Sequence, residues 1–71
     1  MSAHEQWSDA AGAYVLRALD DAEPLVRGHA AWALGRIGGQ EAHVALENAL
    51  EREKDTSVLQ ELRYALALVD A

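Results

Sequence analysis

The sequence predicts an all-α protein made of two stacked antiparallel helical hairpins. Three observations predict this fold: apolar residues recur at helical spacing in four segments, the alternation typical of strands is absent, and the second half of the chain repeats the first. The composition, rich in alanine and leucine with one proline and no phenylalanine, favours closely packed helices. With 71 residues, the chain forms at most one domain.

The first hairpin is predicted for residues 9–38, after a non-repeat leader of residues 1–8. Ser8 or Asp9 is suited to cap its first helix. Pro24 suits the first turn of the second helix, where the missing N–H has no partner to lose. The apolar positions expected on the buried stripes of this hairpin are Val15, Ala18, Leu19, Ala22, Val26, Ala30, Ala33, Leu34 and Ile37.

The second hairpin is predicted for residues 39–71, because Gly38 and Gly39 form a glycine signal for the end of the preceding helix. Ser57 and Gln60 have the spacing of a capping box at the start of the last helix. The apolar positions expected on its buried stripes are Ala42, Ala45, Leu46, Ala49, Leu50, Val58, Leu62, Ala65, Leu66 and Val69.

The two halves match at a shift of about 31 to 32 residues, which is the signature of a helical repeat protein. Val26 falls on Val58, for example, and Leu34 falls on Leu66. Neither hairpin can cover both of its apolar stripes alone, so stacking buries the shared face. Repeat proteins usually need about three units for stability, which leaves a fragment, a terminal cap or a self-associating unit as interpretations.

The stretch from Asp21 to Gly38 contains an acidic loop, a Val-Arg pair, an Ala-Ala pair, Ala-Leu-Gly and Ile-Gly. It resembles the short bacterial HEAT-like repeat of the phycobilisome-lyase type, which implies a piece of an α-α superhelix. The second hairpin departs from that pattern, with Leu59 at the arginine position and Ala67 at the glycine position. We interpret it as a degenerate C-terminal cap. Bilin-lyase activity is a remote alternative, because repeat type does not carry function.

The string from Arg27 to Arg36, Arg-Gly-His-Ala-Ala-Trp-Ala-Leu-Gly-Arg, supports a narrower resemblance. It is similar to the C-terminal HEAT-like region of epoxyqueuosine reductases, which are tRNA-modifying enzymes with an iron–sulfur cluster and cobalamin. The resemblance implies a non-catalytic docking module that contacts a catalytic domain, tRNA or both. It also implies that both cofactors belong to the parent protein and not to this chain.

One stripe of the second helix carries Leu25, His29, Trp32 and Arg36 at i, i+4, i+7 and i+11, and we call it the ridge. As a recognition surface, its aromatic ring would stack while the His and Arg contact phosphate or 2′-OH groups, as in RNA-binding proteins. The structural alternative, which we favour, packs the tryptophan against a neighbouring repeat or domain. The recognition role and the packing role can both be correct if the ridge faces a catalytic domain.

Arg27 is expected to form a structural ion pair with Asp21 or Glu23, because these carboxylates lie in the loop just before it. Gly28 and Gly35 lie on the same helix, where each glycine costs about 1 kcal/mol relative to alanine. They therefore predict a close approach of another backbone.

The chain shows no catalytic, cofactor or metal pattern of its own. It has no cysteine, and its three histidines, His4, His29 and His43, lack metal-binding spacing. Its net charge of −6 argues against non-specific nucleic-acid binding. No apolar run reaches the roughly 20 residues of a membrane span. We expect a cytoplasmic protein without membrane contact, either the reductase-type module or a free-standing adaptor for protein–protein interaction, with self-association through exposed repeat ends as a further possibility.

Overall fold

The computed structural model describes residues 12–70, which form four helices and no strand. The helices are α1 (Gly12–Ala18), α2 (Pro24–Ile37), α3 (Gln40–Arg52) and α4 (Thr56–Asp70). Helix α2 packs most extensively against α4, while α1 packs on α2, and α3 packs on both α2 and α4. The predicted all-α fold of helical hairpins is therefore confirmed. The predicted leader of residues 1–8 and the proposed caps Ser8 and Asp9 lie outside the described residues.

The core is a layer of small and branched apolar side chains between the hairpins. Ala22, predicted to be buried, is exposed in the loop after α1, because that helix already ends at Ala18. Val26 and Ile37 lie near the ends of α2 and remain 38% and 44% exposed. Among residues 12–70, the buried apolar side chains are Leu19, Ala30, Ala31, Leu34, Ala42, Leu46, Ala49, Val58, Leu62 and Ala65.

Helix α2 begins and ends at the predicted residues. Pro24 occupies its first turn, and the N–H of Gly38 donates to the Leu34 carbonyl over 2.9 Å. Gly38 and Gly39 have φ angles of 74° and 93°, a conformation that glycine adopts without the steric penalty of a side chain. The chain reverses there and starts α3 immediately.

The start of α4 differs from the predicted capping box of Ser57 and Gln60. The cap is Asp55, whose Oδ1 accepts hydrogen bonds from the Ser57 N–H at 2.9 Å, the Ser57 hydroxyl at 2.6 Å and the Val58 N–H at 3.2 Å. A carboxylate two residues earlier reaches the free amides of the first turn better than the hydroxyl does. The hydrogen bond from the Ser57 side chain, followed by the one from Val58, lowers the pKa of Asp55.

Candidate functional site

The ridge is exposed along one side of α2. Leu25 is 72% exposed and Trp32 is 52% exposed, and His29 and Arg36 are also exposed. The Arg36 guanidinium carbon lies 5.4 Å from the centre of the Trp32 ring, a distance at which the cation is attracted to the aromatic face. Within the described residues, the tryptophan is therefore held by a neighbour on its own helix and leaves about half of its surface for another contact.

A groove runs between the ridge and the first turns of α4. Three ridge residues, Leu25, His29 and Trp32, lie on its α2 side, and Val58 and Glu61 lie on its α4 side. It has a cavity volume of about 540 Å³. Pro24, Gly28 and Ser57 also line it.

The α4 side of the groove was not anticipated from the sequence. The sequence predicts Val58 in the core, where it lies at 1% exposure, but helical spacing does not mark Glu61 as a binding residue. The sequence does contain a signal for this residue, because Glu61 is the one acidic residue in the first two turns of α4. What the sequence did not provide is the rotation of α4 that turns this carboxylate toward α2.

Arg27 forms its ion pair with a different carboxylate from those expected. Its Nε and Nη2 donate to Oε1 and Oε2 of Glu53 at 2.8 and 2.9 Å, in a two-pronged pair. Its Nη1 donates to the backbone carbonyls of Asp21 at 2.8 Å and Ala22 at 3.1 Å. The Asp21 carboxylate instead accepts from the N–H of Glu23 at 2.9 Å.

Arg27 pairs with Glu53, and not with Asp21 or Glu23, for a topological reason. The loop before α2 presents its backbone carbonyls to the arginine side chain, while the loop after α3 brings the Glu53 carboxylate alongside. At the repeat shift of about 32 residues, Glu53 corresponds to Asp21, so each repeat contributes an acidic loop residue at this place. Arg27 thus ties the loops of both hairpins to the first turn of α2.

The Glu53 side chain is only 6% exposed, and the Arg27 side chain is 20% exposed. Hydrogen bonds from Arg27 are the largest cause of the lowered pKa of the Glu53 carboxyl, and the N–H groups of Asp55 and Lys54 act in the same direction. The same hydrogen bond raises the pKa of Arg27. With four donors engaged by its two oxygens, this carboxylate is satisfied inside the fold, which makes the pair structural.

His43 joins α3 to the end of α4. Its Nε2 lies 3.1 Å from a Glu47 carboxylate oxygen, and its Nδ1 lies 2.9 Å from Oδ1 of Asp70. Both ring nitrogens donate only in the protonated imidazolium. The hydrogen bond to Glu47 and the charge of Asp70 accordingly raise the pKa of His43. Between residues 12 and 70, no group of three or more His, Cys, Asp or Glu residues is arranged to hold a metal ion.

Comparison with known families identifies the repeat. Residues 4–67 match the family described as HEAT repeats. The chain belongs to the HEAT-repeat family. Within the part of the chain that the structure describes, no helix combines the length and hydropathy needed to span a membrane. No solved structure matches the chain.

Curated relatives support the narrower resemblance. The chain is 54% identical over 50 residues to the epoxyqueuosine reductase of Bacillus cereus, which covers 70% of this chain and 13% of that protein. It is 54% identical over 43 residues to the epoxyqueuosine reductase of Listeria monocytogenes, covering 61% of this chain and 11% of that one. The chain is 43% identical over 51 residues to the epoxyqueuosine reductase of Bacillus subtilis, which covers 72% of this chain and 13% of that protein. The matched segment is thus a small part of each relative.

The residues of this HEAT-repeat chain do not fit the cluster that the resemblance associates with the parent enzymes. Iron–sulfur clusters are held by cysteine thiolates, and this chain contains no cysteine. This segment therefore supplies no thiolate ligand to such a cluster.

Proposed function

We propose that this chain is a non-catalytic docking module of the kind carried by epoxyqueuosine reductases, and that its ridge is the docking surface. The partner is a protein surface: the catalytic domain of the parent enzyme, or another chain if the module acts as an adaptor. The similarity to the curated reductases supports the first of these partners. It also supports a cytoplasmic location, where tRNA modification takes place.

A single observation carries the proposal: Trp32 is 52% exposed. It belongs to the string from Arg27 to Arg36, which resembles the reductases. A large aromatic side chain is usually buried, and when it is exposed in a groove it commonly marks a binding surface. Here Leu25 and Trp32 stand two helical turns apart on the same face, and both line the groove. In the part of the chain that the structure describes, helix packing leaves both side chains exposed.

The test exchanges the matched segment of the Bacillus cereus epoxyqueuosine reductase for the corresponding residues of this chain. We expect the chimera to reduce epoxyqueuosine, and we expect Trp32→Ala within it to lower kcat/KM by about tenfold, as for an aromatic hot spot at an interface. The matched control is Tyr64→Ala, since Tyr64 is also an exposed aromatic, at 64%, but lies outside the groove.

Loss of activity counts as loss of docking only if the variant chain still folds. Circular dichroism and thermal unfolding of the isolated Trp32→Ala and Tyr64→Ala chains provide that check. If the two substitutions lower kcat/KM equally, or if neither does, the ridge is not the docking surface.

Contact with tRNA is a second candidate function, favoured by the stacking of Arg36 on Trp32 at 5.4 Å. An arginine held on an aromatic ring presents both a cation and a flat surface to an unpaired base. The net charge of −6 works against it, because the long-range field repels phosphate. For this reason we place protein docking first.

The RNA candidate is tested with the Trp7→Phe chain, in which Trp32 is the remaining tryptophan. Contact with RNA predicts a change in Trp32 emission on adding tRNA, weakened by Arg36→Glu. Arg63→Glu is the control, because Arg63 is exposed on α4 and lies outside the groove. If Arg36→Glu and Arg63→Glu weaken the emission change equally, the effect reflects only the net charge of the chain. If tRNA causes no change in Trp32 emission, contact between Trp32 and RNA is excluded.

The adaptor alternative, including self-association, predicts a different result. A free-standing adaptor gives an inactive chimera, and a self-associating one gives a mass that rises with protein concentration in light scattering. A constant monomer mass together with an active chimera would reject both variants.

A further inference from the structure

The groove beside the ridge contains a carboxylate that the fold does not use. Within residues 12–70, the Glu61 side chain takes part in no hydrogen bond or ion pair, and it lines the groove opposite Trp32. In contrast, Glu53 is engaged by Arg27, and Glu47 by His43. An unpaired carboxylate beside apolar surface is a favourable position for a cation that arrives on an apolar stem.

The floor of the groove has room for an incoming side chain. Gly28 lies between Leu25 and Trp32, and a Cβ added there would meet only the Glu61 Cγ, at 3.7 Å. The floor is therefore open over the glycine while Leu25 and Trp32 rise on either side of it. An apolar side chain placed there contacts both of them and leaves the Glu61 carboxylate free to bind a neighbouring residue.

The backbone of the occupant is constrained as well. Both sides of the groove are helices, so the groove offers no strand edge with which an extended segment could pair. A segment that docks there must satisfy its own backbone hydrogen bonds, which a helix does. Leu25 and Trp32 are seven residues apart, roughly 10 Å along α2, which corresponds to about two turns of a docked helix.

We propose that the groove binds an amphipathic, basic helix of a partner protein, with an apolar side chain over Gly28 and a lysine or arginine on Glu61. Charge complementarity selects this occupant, because both Glu61 and the net charge of −6 favour a cationic segment. The same charges disfavour a nucleic-acid backbone in the groove. The inference rests on the proposed docking function and specifies the chemistry of its partner.

The test measures binding of labelled peptides to the full chain by fluorescence anisotropy. The probe is an amphipathic peptide of about 14 residues, or roughly four helical turns, with leucines on one face and lysines beside them. Two matched peptides replace the lysines by glutamate or the leucines by serine, and an RNA hairpin serves as the nucleic-acid probe. We expect measurable binding of the leucine-lysine peptide alone.

Variants locate the site. Glu61→Gln is expected to weaken binding of the lysine peptide roughly fivefold, as for a partly exposed ion pair. Glu51→Gln removes the same charge from an exposed position of α3 outside the groove and is expected to have no such effect. Gly28→Ala narrows the floor without a clash, so it is expected to weaken binding while the chain stays folded.

Equal losses from Glu61→Gln and Glu51→Gln would overturn the inference, since bulk charge would explain them. Tighter binding of the glutamate peptide or of the RNA would overturn it too. The proposed function is judged separately with the chimera. If Trp32→Ala lowers its kcat/KM and Glu61→Gln does not, docking through the ridge stands and the basic partner is rejected; if neither substitution lowers it, both proposals fail.

Discussion

Gly35 of α2 packs so closely on Ala65 of α4 that the two hairpins leave no space for a methyl group between them. A Cβ added to Gly35 would lie 2.8 Å from the Cβ of Ala65 and 2.9 Å from its Cα. Both positions are buried, Ala65 at 1% exposure. The glycine thus lets α4 pack directly on the backbone of α2, and this contact sets the separation of the two sides of the groove.

Gly35→Ala is expected to destabilise the chain by about 1–3 kcal/mol, the usual cost of overpacking a filled interior. The new methyl group has no room, because the atoms it meets belong to the Ala65 backbone and its Cβ, so the helices must separate. Urea unfolding followed by circular dichroism measures the change. A Gly35→Ala chain as stable as the original would mean that the two helices are farther apart than described.

Gly28→Ala is the matched control on the same helix. Its added methyl group meets the Glu61 Cγ at an ordinary contact distance of 3.7 Å, so the helix gains propensity without a clash. We expect unchanged stability, or a gain of up to about 1 kcal/mol. The predicted close approach therefore holds at Gly35 and does not hold at Gly28.

Glu53→Gln is expected to lower the midpoint of thermal unfolding, because it removes the charge that faces the Arg27 guanidinium in a largely covered pair. Glu51→Gln, an exposed change of equal charge, is expected to shift the midpoint less. Differential scanning calorimetry at neutral pH compares the two. Equal shifts would show that the pair contributes no more than a general change of net charge.

The His43 cluster predicts a pH dependence above pH 6. Because the folded pKa is raised by Glu47 and Asp70, the extra stability is fully present below the unfolded value of about 6.5. It is lost as the pH rises through the folded pKa. Urea midpoints measured from about pH 6 to pH 8.5 should therefore fall with rising pH.

His43→Gln should remove that fall. His29→Gln is the matched control, because the His29 side chain has no hydrogen bond or ion pair within residues 12–70, and it should leave the fall in place. The prediction fails if the two variants have the same pH profile.

Leu34→Ala tests the core, since Leu34 has 0% exposure and lies between the hairpins. The expected cost is about 2–5 kcal/mol, which combines the lost burial and the cavity left behind. Leu68→Ala, at a position 43% exposed, is expected to cost clearly less. Chemical denaturation of both variants provides the comparison, and similar costs would argue against the described core.

The fold was predictable because its signals are local. Pro24 and the Gly38-Gly39 pair mark the ends of α2, and spacing identifies buried residues such as Leu34, Leu46 and Leu62. The start of α4 was predicted only approximately. Asp55 and Ser57 are both good caps on sequence grounds, and the choice between them depends on loop geometry.

Long-range partners were not predictable in the same way. Arg27 has nearby carboxylates in its own loop, whereas its actual partner Glu53 is brought to it by the packing of the hairpins. The ridge follows from helical spacing alone, but the groove beside it requires the orientation of α4 and therefore of Glu61. Sequence periodicity determines which residues share one helix face, and tertiary packing determines which faces meet.

The central claim is that the ridge is covered by a partner, and hydroxyl-radical footprinting with mass spectrometry tests it most directly. Trp32 and Tyr64 are 52% and 64% exposed, so both should be oxidised in the isolated chain. In the chimera, the account predicts strong protection of Trp32 with Tyr64 still oxidised as an internal reference. Oxidation of Trp32 in the chimera at the rate found in the isolated chain would contradict the account.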